Sequence, residues 1–217
     1  MGENKSNIYK TVLISEEQKS KWIAAGGDPN KSVIIPVPVE VPDYGTESYI
    51  EEFGWEDKFV FGMHQRDDIQ GEDTAFLILG GSANHRKQAK DYQLRNVKFL
   101  DTTSDVSLIH KFLNTLNVYA HGRSDGEQCS SAIIEGLSHS LPMISHTAVS
   151  MGQLEQIGDA GVVVDGYEEY AQAMKNMMNN QKYYVDCKVN AEKRYRQIYD
   201  VPSIMKKFIE LYKEVVS

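Results

Sequence analysis

The 217-residue chain has only two cysteines, and they form neither a disulfide framework nor a metal-binding pattern. Its six histidines show no ligand-pair spacing, so we predict no metal site. No apolar run is long enough to span a bilayer, and no signal peptide is recognisable. The net charge of −8 argues against a general nucleic-acid-binding protein. We therefore expect a cytoplasmic protein, and the mildly basic stretch 181–217 leaves peripheral contact with a membrane open.

From residue 55 onwards, apolar runs alternate with helical patterns, which predicts an α/β fold. The runs are apolar along most of their length, as in parallel strands that are buried on both faces. This alternation predicts a doubly wound parallel sheet with its ligand at the carboxyl ends of the strands. Strands are predicted at 58–63, 75–80, 96–100, 116–121, 141–145 and 161–164, and helices at 83–92, 104–114, 128–139, 150–157, 167–179, 181–199 and 202–216.

Glu127 and Glu135 bracket seven small or apolar residues directly after the fourth of these strands. If a helix begins near Gln128, Glu127 lies at its mouth and Glu135 about 12 Å further along the axis. The backbone amides near Ser130 and Ser131 would then form an anion site at the positive end of the helix. One loop and helix could thus hold a sugar, a diphosphate and a ribose in turn.

A purely structural explanation of both glutamates is also available. Glu127 could complement the helix dipole, and Glu135 could be an exposed helical glutamate. The turn at Gly126 and the apolar Ile133 and Ile134, which would bury the helix beneath a site, favour the functional interpretation.

The E-x7-E arrangement resembles the motif of the family-4 retaining glycosyltransferases (glycosyl transferases group 1), whose GT-B fold has two facing Rossmann-like domains. The resemblance covers roughly residues 55–215 and includes Leu141-Pro-Met-Ile-Ser145, Glu155 and the run 159–165 in the family's order. It implies the C-terminal, donor-binding half of such an enzyme: a Rossmann-like doubly wound parallel sheet followed by C-terminal helices.

The resemblance also implies an activity, which is transfer of a hexose from a UDP- or GDP-sugar to an acceptor hydroxyl with retention of configuration. The acceptor would be a carbohydrate, lipid-linked or protein hydroxyl, and no metal or other cofactor is expected. Glu127 would be the catalytic residue that contacts the donor sugar, and Glu135 would bind the ribose. Ser130, Ser131, Arg66 and Gly126 complete the expected donor site, near Gly80, Gly81 and the backbone of 100–103. Arg123, four residues before Glu127, would either pair with Asp125 or Glu127 to hold the loop or contact the phosphate directly.

Two departures from the family pattern concern the phosphates. The family's Ser-Phe-Gly after the first glutamate is replaced by Gln128-Cys129-Ser130. No lysine follows Arg66 before Lys87. Only eleven residues separate Met63 from Ala75, so we expect either that these two strands are not parallel neighbours or, preferably, that a segment is missing between Arg66 and Ala75.

The chain is predicted to have three parts. Residues 1–36 would be a remnant of the N-terminal, acceptor-binding domain: a strand to Ile14, a helix opened by a capping box at Ser15 and a second strand at 32–36. Residues 37–54 would be the interdomain linker, and 55–217 the nucleotide-sugar-binding domain. With its acceptor half absent, this fragment is expected to be inactive.

Two other functions stay open at this stage. The chain could be a non-catalytic nucleotide-sugar-binding module that acts with a partner chain. It could also be a nucleotide-sugar epimerase of the same architecture, although that would need acid/base histidines for which the sequence shows no convincing set.

Overall fold

A computed structural model of the protein describes residues 9–41, 45–63, 73–122, 126–147 and 150–216. Its main feature is a six-stranded sheet in which every pair of neighbours is parallel. The strands are β3 (Phe59–Met63), β4 (Thr74–Leu79), β5 (Val97–Leu100), β6 (Val118–His121), β8 (Met143–His146) and β10 (Gly161–Val164). Their spatial order, β10-β8-β6-β3-β4-β5, is that of a Rossmann-like doubly wound sheet. The predicted fold class is confirmed.

Both faces of this sheet are buried, which explains the unbroken apolar runs in the sequence. Val60 packs into one core cluster while its neighbour Phe61 packs into the other. Tyr119 and its neighbour Ala120 divide between the two clusters in the same way. Because successive side chains of a strand point to opposite faces, a strand between two layers of helices must be apolar at nearly every position.

Helices cover the two faces. The first cluster includes side chains of α4 (Val106–Thr115), α5 (Ser131–Ser138), α6 (Gly152–Ile157) and the second half of α8 (Gln181–Arg194). The other cluster includes side chains of α7 (Tyr167–Asn179) and Cys187 of α8. Two further helices, α2 (Ile50–Phe53) and α3 (Ala83–Asp91), have no fully buried residue. A single π-helical turn, Tyr195–Tyr199, separates α8 from α9 (Val201–Val216), in which Pro202 occupies the first turn as predicted.

The N-terminal residues form a small β-α-β unit of their own. It consists of β1 (Thr11–Leu13), α1 (Glu16–Ala24) and β2 (Ser32–Ile34), and its strands pair in parallel in a separate two-stranded sheet. The Ser15 hydroxyl caps α1 as predicted by accepting from the Gln18 amide, but the Gln18 side chain accepts from Ile14 instead of closing the box on Ser15. Ile35 packs against Ile204 and Leu211 of α9.

Two expectations about the main sheet need correction. The helix of the E-x7-E motif begins at Ser131, not near Gln128, because Gly126–Glu127 form a short strand, β7, that pairs with β9 (Ser150–Met151). The alternative that the strands at 58–63 and 75–80 are not parallel neighbours is wrong, since β3 and β4 pair directly. The connection at 64–72, and with it the question of a missing segment, lies outside the described residues.

The boundaries proposed at residues 36 and 54 stay predictions, with 42–44 outside the described ranges. Within those ranges, none of the helices has both the length and the apolar character that crossing a bilayer requires.

Candidate functional site

The E-x7-E segment lies at the carboxyl edge of the sheet, beside the position where the strand order reverses. In sequence, β6 follows β5, but in space it pairs with β3 on the other side of the sheet. The chain that leaves β6 reaches β7 and then α5. In doubly wound sheets, ligands bind in the crevice that opens at this switch point. The topology therefore places Gly126, Glu127, Ser130, Ser131 and Glu135 where a ligand site is expected.

The Glu127 side chain is only 19% exposed, and its Oε2 lies 3.6 Å from Nε2 of His121. His121 is the last residue of β6 and is almost fully buried. His121 could not be recognised from the sequence, since a lone histidine at a strand end has no distinctive spacing. The Glu127 backbone amide donates to the Gln153 side chain at 3.0 Å. The carboxylate of Glu127 thus lies beside a buried imidazole, while its backbone is hydrogen-bonded to α6.

The N-terminus of α5 has a different set of available amides from the one predicted. Ser130 is the residue before the helix, with extended backbone angles, and its amide donates to Oε1 of Gln156 at 2.7 Å. The first-turn amides of Ser131, Ala132 and Ile133 precede the first intrahelical donor, Ile134, whose amide bonds the Ser130 carbonyl. An anion at this helix end would meet those three amides and the exposed Ser131 side chain.

Glu135 lies one turn further along α5 and lines a cavity of about 300 Å³. Gly80 and Gly81, which follow β4, and Thr102 and Thr103, which follow β5, form the opposite wall. Burial raises the pKa of the Glu135 carboxyl above its ordinary value. The cavity therefore brings Glu135 together with both backbone segments that were expected to contact a nucleoside.

The paired glycines have a conformational reason to be there. Gly80 and Gly81 both have φ of +86°, a region that residues with a Cβ rarely adopt. A Cβ on Gly81 would also lie 3.1 Å from the Phe99 ring. Arg86, which has no distinctive spacing in the sequence, joins the segments after β4 and β5. Its Nη2 donates to the Gly80 carbonyl at 3.4 Å, to the Leu100 carbonyl at 3.2 Å and to Asp101 at 2.9 Å.

Tyr119 lies beneath the motif and is fully buried. Burial raises the pKa of its phenol strongly, and the negative charges of Glu135 and Glu127 raise it further. The hydroxyl therefore stays protonated, which makes it a hydrogen-bond donor within the field of both carboxylates. Cys129 beside them is no activated nucleophile, because burial raises the pKa of its thiol as well.

The remaining predicted residues, Arg66 and Arg123, lie outside the described ranges. Among the residues that the structure does describe, no cluster of three His, Cys, Asp or Glu side chains could hold a metal ion. That donor binding needs no metal remains a prediction.

A larger cavity, of about 730 Å³, opens at the other edge of the sheet. It is lined by Thr74, the first residue of β4, and by Asn96, which precedes β5, so it lies at the amino ends of the strands. It contains neither motif glutamate, and ligands of doubly wound sheets bind at the carboxyl ends. We therefore take the smaller cavity as the candidate site.

Comparison with known proteins shows the family to which the chain belongs. Residues 61–194, more than half of the chain, match the family model described as glycosyl transferases group 1. No curated protein sequence matches the chain.

Solved structures share the fold at low sequence identity. HepE from Anabaena, crystallised with UDP-glucose, is 17% identical with a TM-score of 0.72, and the match covers 95% of this chain and 64% of HepE. A glycosyltransferase from Rickettsia africae is 16% identical with a TM-score of 0.73, covering 96% of this chain and 64% of that one. Sucrose-phosphate synthase from Thermosynechococcus elongatus is 13% identical with a TM-score of 0.69, and the match covers 94% of this chain and 58% of the synthase. The chain spans less than two thirds of each of these proteins.

Proposed function

Because the chain belongs to the glycosyl transferases group 1 family, we propose that it binds the donor of a retaining hexosyl transfer from a UDP- or GDP-sugar to an acceptor hydroxyl. The observation that carries the proposal is the placement of Glu127, the N-terminus of α5 and Glu135 in sequence along one edge of the sheet, beside a cavity. HepE, which has the same fold, was crystallised with UDP and with UDP-glucose.

The proposed roles follow the chemistry of each group. Glu135 accepts hydrogen bonds from the ribose hydroxyls, with the nucleoside in the cavity between Gly80 and Thr102. The amides of Ser131, Ala132 and Ile133 bind the diphosphate, which the positive end of the helix dipole favours. Glu127 accepts from the sugar hydroxyls and orients the hexose.

Stabilisation of the leaving diphosphate is the catalytic requirement that this half of the enzyme would meet. Negative charge develops on the diphosphate as the glycosidic bond breaks, and donors fixed in advance stabilise that charge best. The α5 amides are fixed in this way, and Arg66 and Arg123 are proposed to add positive charge. No metal is invoked in this proposal.

The acceptor side is proposed to come from protein that this chain does not contain. The structures that share the fold are longer, and the match covers 64% of HepE. We expect the chain alone to bind a donor nucleotide but to transfer little or no sugar.

Calorimetric titration with UDP, GDP and their glucose conjugates tests the proposal. Binding of one nucleotide series, lost in Glu135→Ala and retained in Glu210→Ala, is the expected result. Glu210 is a matched control because it is an exposed helical glutamate of α9, away from the motif. Equal binding by wild type and Glu135→Ala would contradict the assigned site, and the absence of binding by all four compounds would contradict the proposed function of the chain.

A further inference from the structure

Two buried glutamines stand one turn apart on α6 and face the E-x7-E segment. Gln153 is 0% exposed and Gln156 is 3% exposed. A buried amide side chain costs free energy unless both its oxygen and its nitrogen find partners. In this protein the partners are backbone groups of the segment that carries Glu127, or of the strand end beside it.

Gln153 connects the Glu127 backbone to the end of β8. Its Oε1 accepts from the Glu127 amide at 3.0 Å, and its Nε2 donates to the carbonyl of His146 at 2.8 Å. The residue that would orient the sugar is therefore attached, through one side chain, to the last residue of an interior strand of the sheet.

Gln156 forms hydrogen bonds with both backbone groups of Ser130. Its Oε1 accepts from the Ser130 amide at 2.7 Å, and its Nε2 donates to the Ser130 carbonyl at 3.1 Å. The side-chain amide thus pairs with the peptide as a neighbouring strand would. Because Ser130 is the residue before α5, this pairing fixes where the helix begins and where its first amides point.

The backbone of α6 is itself fixed close to the segment. A Cβ on Gly152 would lie 2.2 Å from the Gln128 carbonyl oxygen and 2.4 Å from that of Glu127, so only glycine allows this approach. At the other end of α6, Nε of Arg194 donates to the Gln156 carbonyl at 2.6 Å. A short helix with close contacts at both ends therefore presents both glutamines.

We propose that Gln153 and Gln156 are positioning residues for the donor: Gln153 sets Glu127 for the sugar, and Gln156 sets the N-terminus of α5 for the diphosphate. The inference rests on the proposed function, since it concerns the same ligand. Neither side chain needs to touch the donor, because each acts through a backbone group that it holds.

The test uses Gln153→Met and Gln156→Met, which keep side-chain length but remove the hydrogen bonds. Uridine, UDP and UDP-glucose, or the guanosine counterparts if the protein binds the GDP series, are titrated into the full chain and into each variant. For Gln153→Met we expect the ratio of UDP-glucose to UDP affinity to fall at least about threefold, with UDP affinity little changed. For Gln156→Met we expect the ratio of UDP affinity to uridine affinity to fall at least about threefold as well.

Gln172→Met is the matched control, because Gln172 is an exposed glutamine of α7. General loss of structure would weaken all three ligands together and leave both ratios unchanged. Wild-type binding with unchanged ratios in both variants overturns this inference alone, whereas no wild-type binding of any nucleotide overturns the proposed function with it.

A second measurement decides the matter if either variant fails to fold. In the nucleotide-free wild type, the amides of Glu127 and Ser130 should exchange with solvent much more slowly than those of Ser131 and Ala132, since only the first two are held by glutamine side chains. Equally fast exchange of all four amides would overturn the inference.

Discussion

Replacing Glu135 by glutamine should weaken nucleotide binding and stabilise the nucleotide-free protein at the same time. Both effects follow from one property, a carboxylate that burial penalises. Hydrogen bonds to a charged acceptor contribute about 1.5–3 kcal/mol, against about 0.5–1.5 kcal/mol for neutral pairs. Losing the charge but keeping an acceptor should thus cost about 1.4 kcal/mol, which is roughly a tenfold rise in the Kd for UDP.

The effect on stability has the opposite sign. The folded-state pKa of Glu135 is raised, so the folded protein holds this proton more tightly than the unfolded chain does. Stability therefore falls as the pH rises through the unfolded and then the folded pKa, and above the folded pKa the buried charge is fully penalised. Glutamine removes the penalty, and each 1 kcal/mol gained would raise Tm by roughly 2–4 °C for a chain of this size.

Calorimetric titration and thermal unfolding of wild type, Glu135→Gln and Glu210→Gln measure the two effects. A pH series with uridine, which has no phosphate to titrate, should show wild-type affinity falling as the pH drops through the raised pKa, because protonation removes the acceptor charge. The affinity of Glu135→Gln should change less over that window. A lower Tm in Glu135→Gln, or unchanged affinity for uridine, would refute the reasoning.

Two further predictions concern the surroundings of the site. Gly152→Ala should destabilise the fold by about 1–3 kcal/mol, because the added Cβ would overlap the backbone carbonyls of residues 127 and 128. Chemical denaturation measures this loss. The control is Leu154→Ala, a change at an exposed position of the same helix, which should alter stability far less. His110 and His139 share a 2.8 Å contact between ring nitrogens, and burial lowers the pKa of both. The folded state therefore binds these protons less well than the unfolded state, and stability should fall as the pH drops below the unfolded value of about 6.5. Thermal unfolding between pH 7.5 and 5.5 should show a flatter pH dependence for His139→Gln than for wild type, and identical slopes would contradict this explanation.

The strands of the main sheet could be predicted from the sequence because burial on both faces requires an unbroken run of apolar residues, which is visible in the sequence alone. Each of the six apolar runs became a strand, with ends shifted by no more than a few residues. Helix starts were predictable where a local cap decides them, as the Ser15 hydroxyl does for α1. Such features depend on residues close together in the chain, and a single sequence contains that information.

The start of α5 could not be predicted in this way. The local pattern from Gln128 onwards is helical, but Glu127 pairs with β9, more than twenty residues later, and Gln156 holds Ser130 in an extended conformation. Long-range partners thus move the start of the helix three residues along the chain from where the local pattern predicts it. The same limit hid Gln153 and His121, whose meaning depends on what packs against them and not on spacing in the chain.

The arrangement of charges at the site, under the proposed roles, explains how a protein with a net charge of −8 could bind a diphosphate selectively. Carboxylates repel phosphates but accept hydrogen bonds from hydroxyl groups. The amides at a helix N-terminus attract phosphates and donate hydrogen bonds to them, but they cannot accept from a hydroxyl group. Glu127 and Glu135 flank the α5 amides in sequence, so the site presents an acceptor, a set of donors and a second acceptor. A nucleoside diphosphate sugar carries hydroxyls, phosphates and hydroxyls in the matching order. A nucleoside triphosphate would instead bring its terminal phosphate towards Glu127, where two negative charges in a largely buried position repel each other. Under the proposed roles, Glu135 would therefore provide affinity for the ribose, and Glu127 would favour the sugar donor over the nucleoside triphosphate.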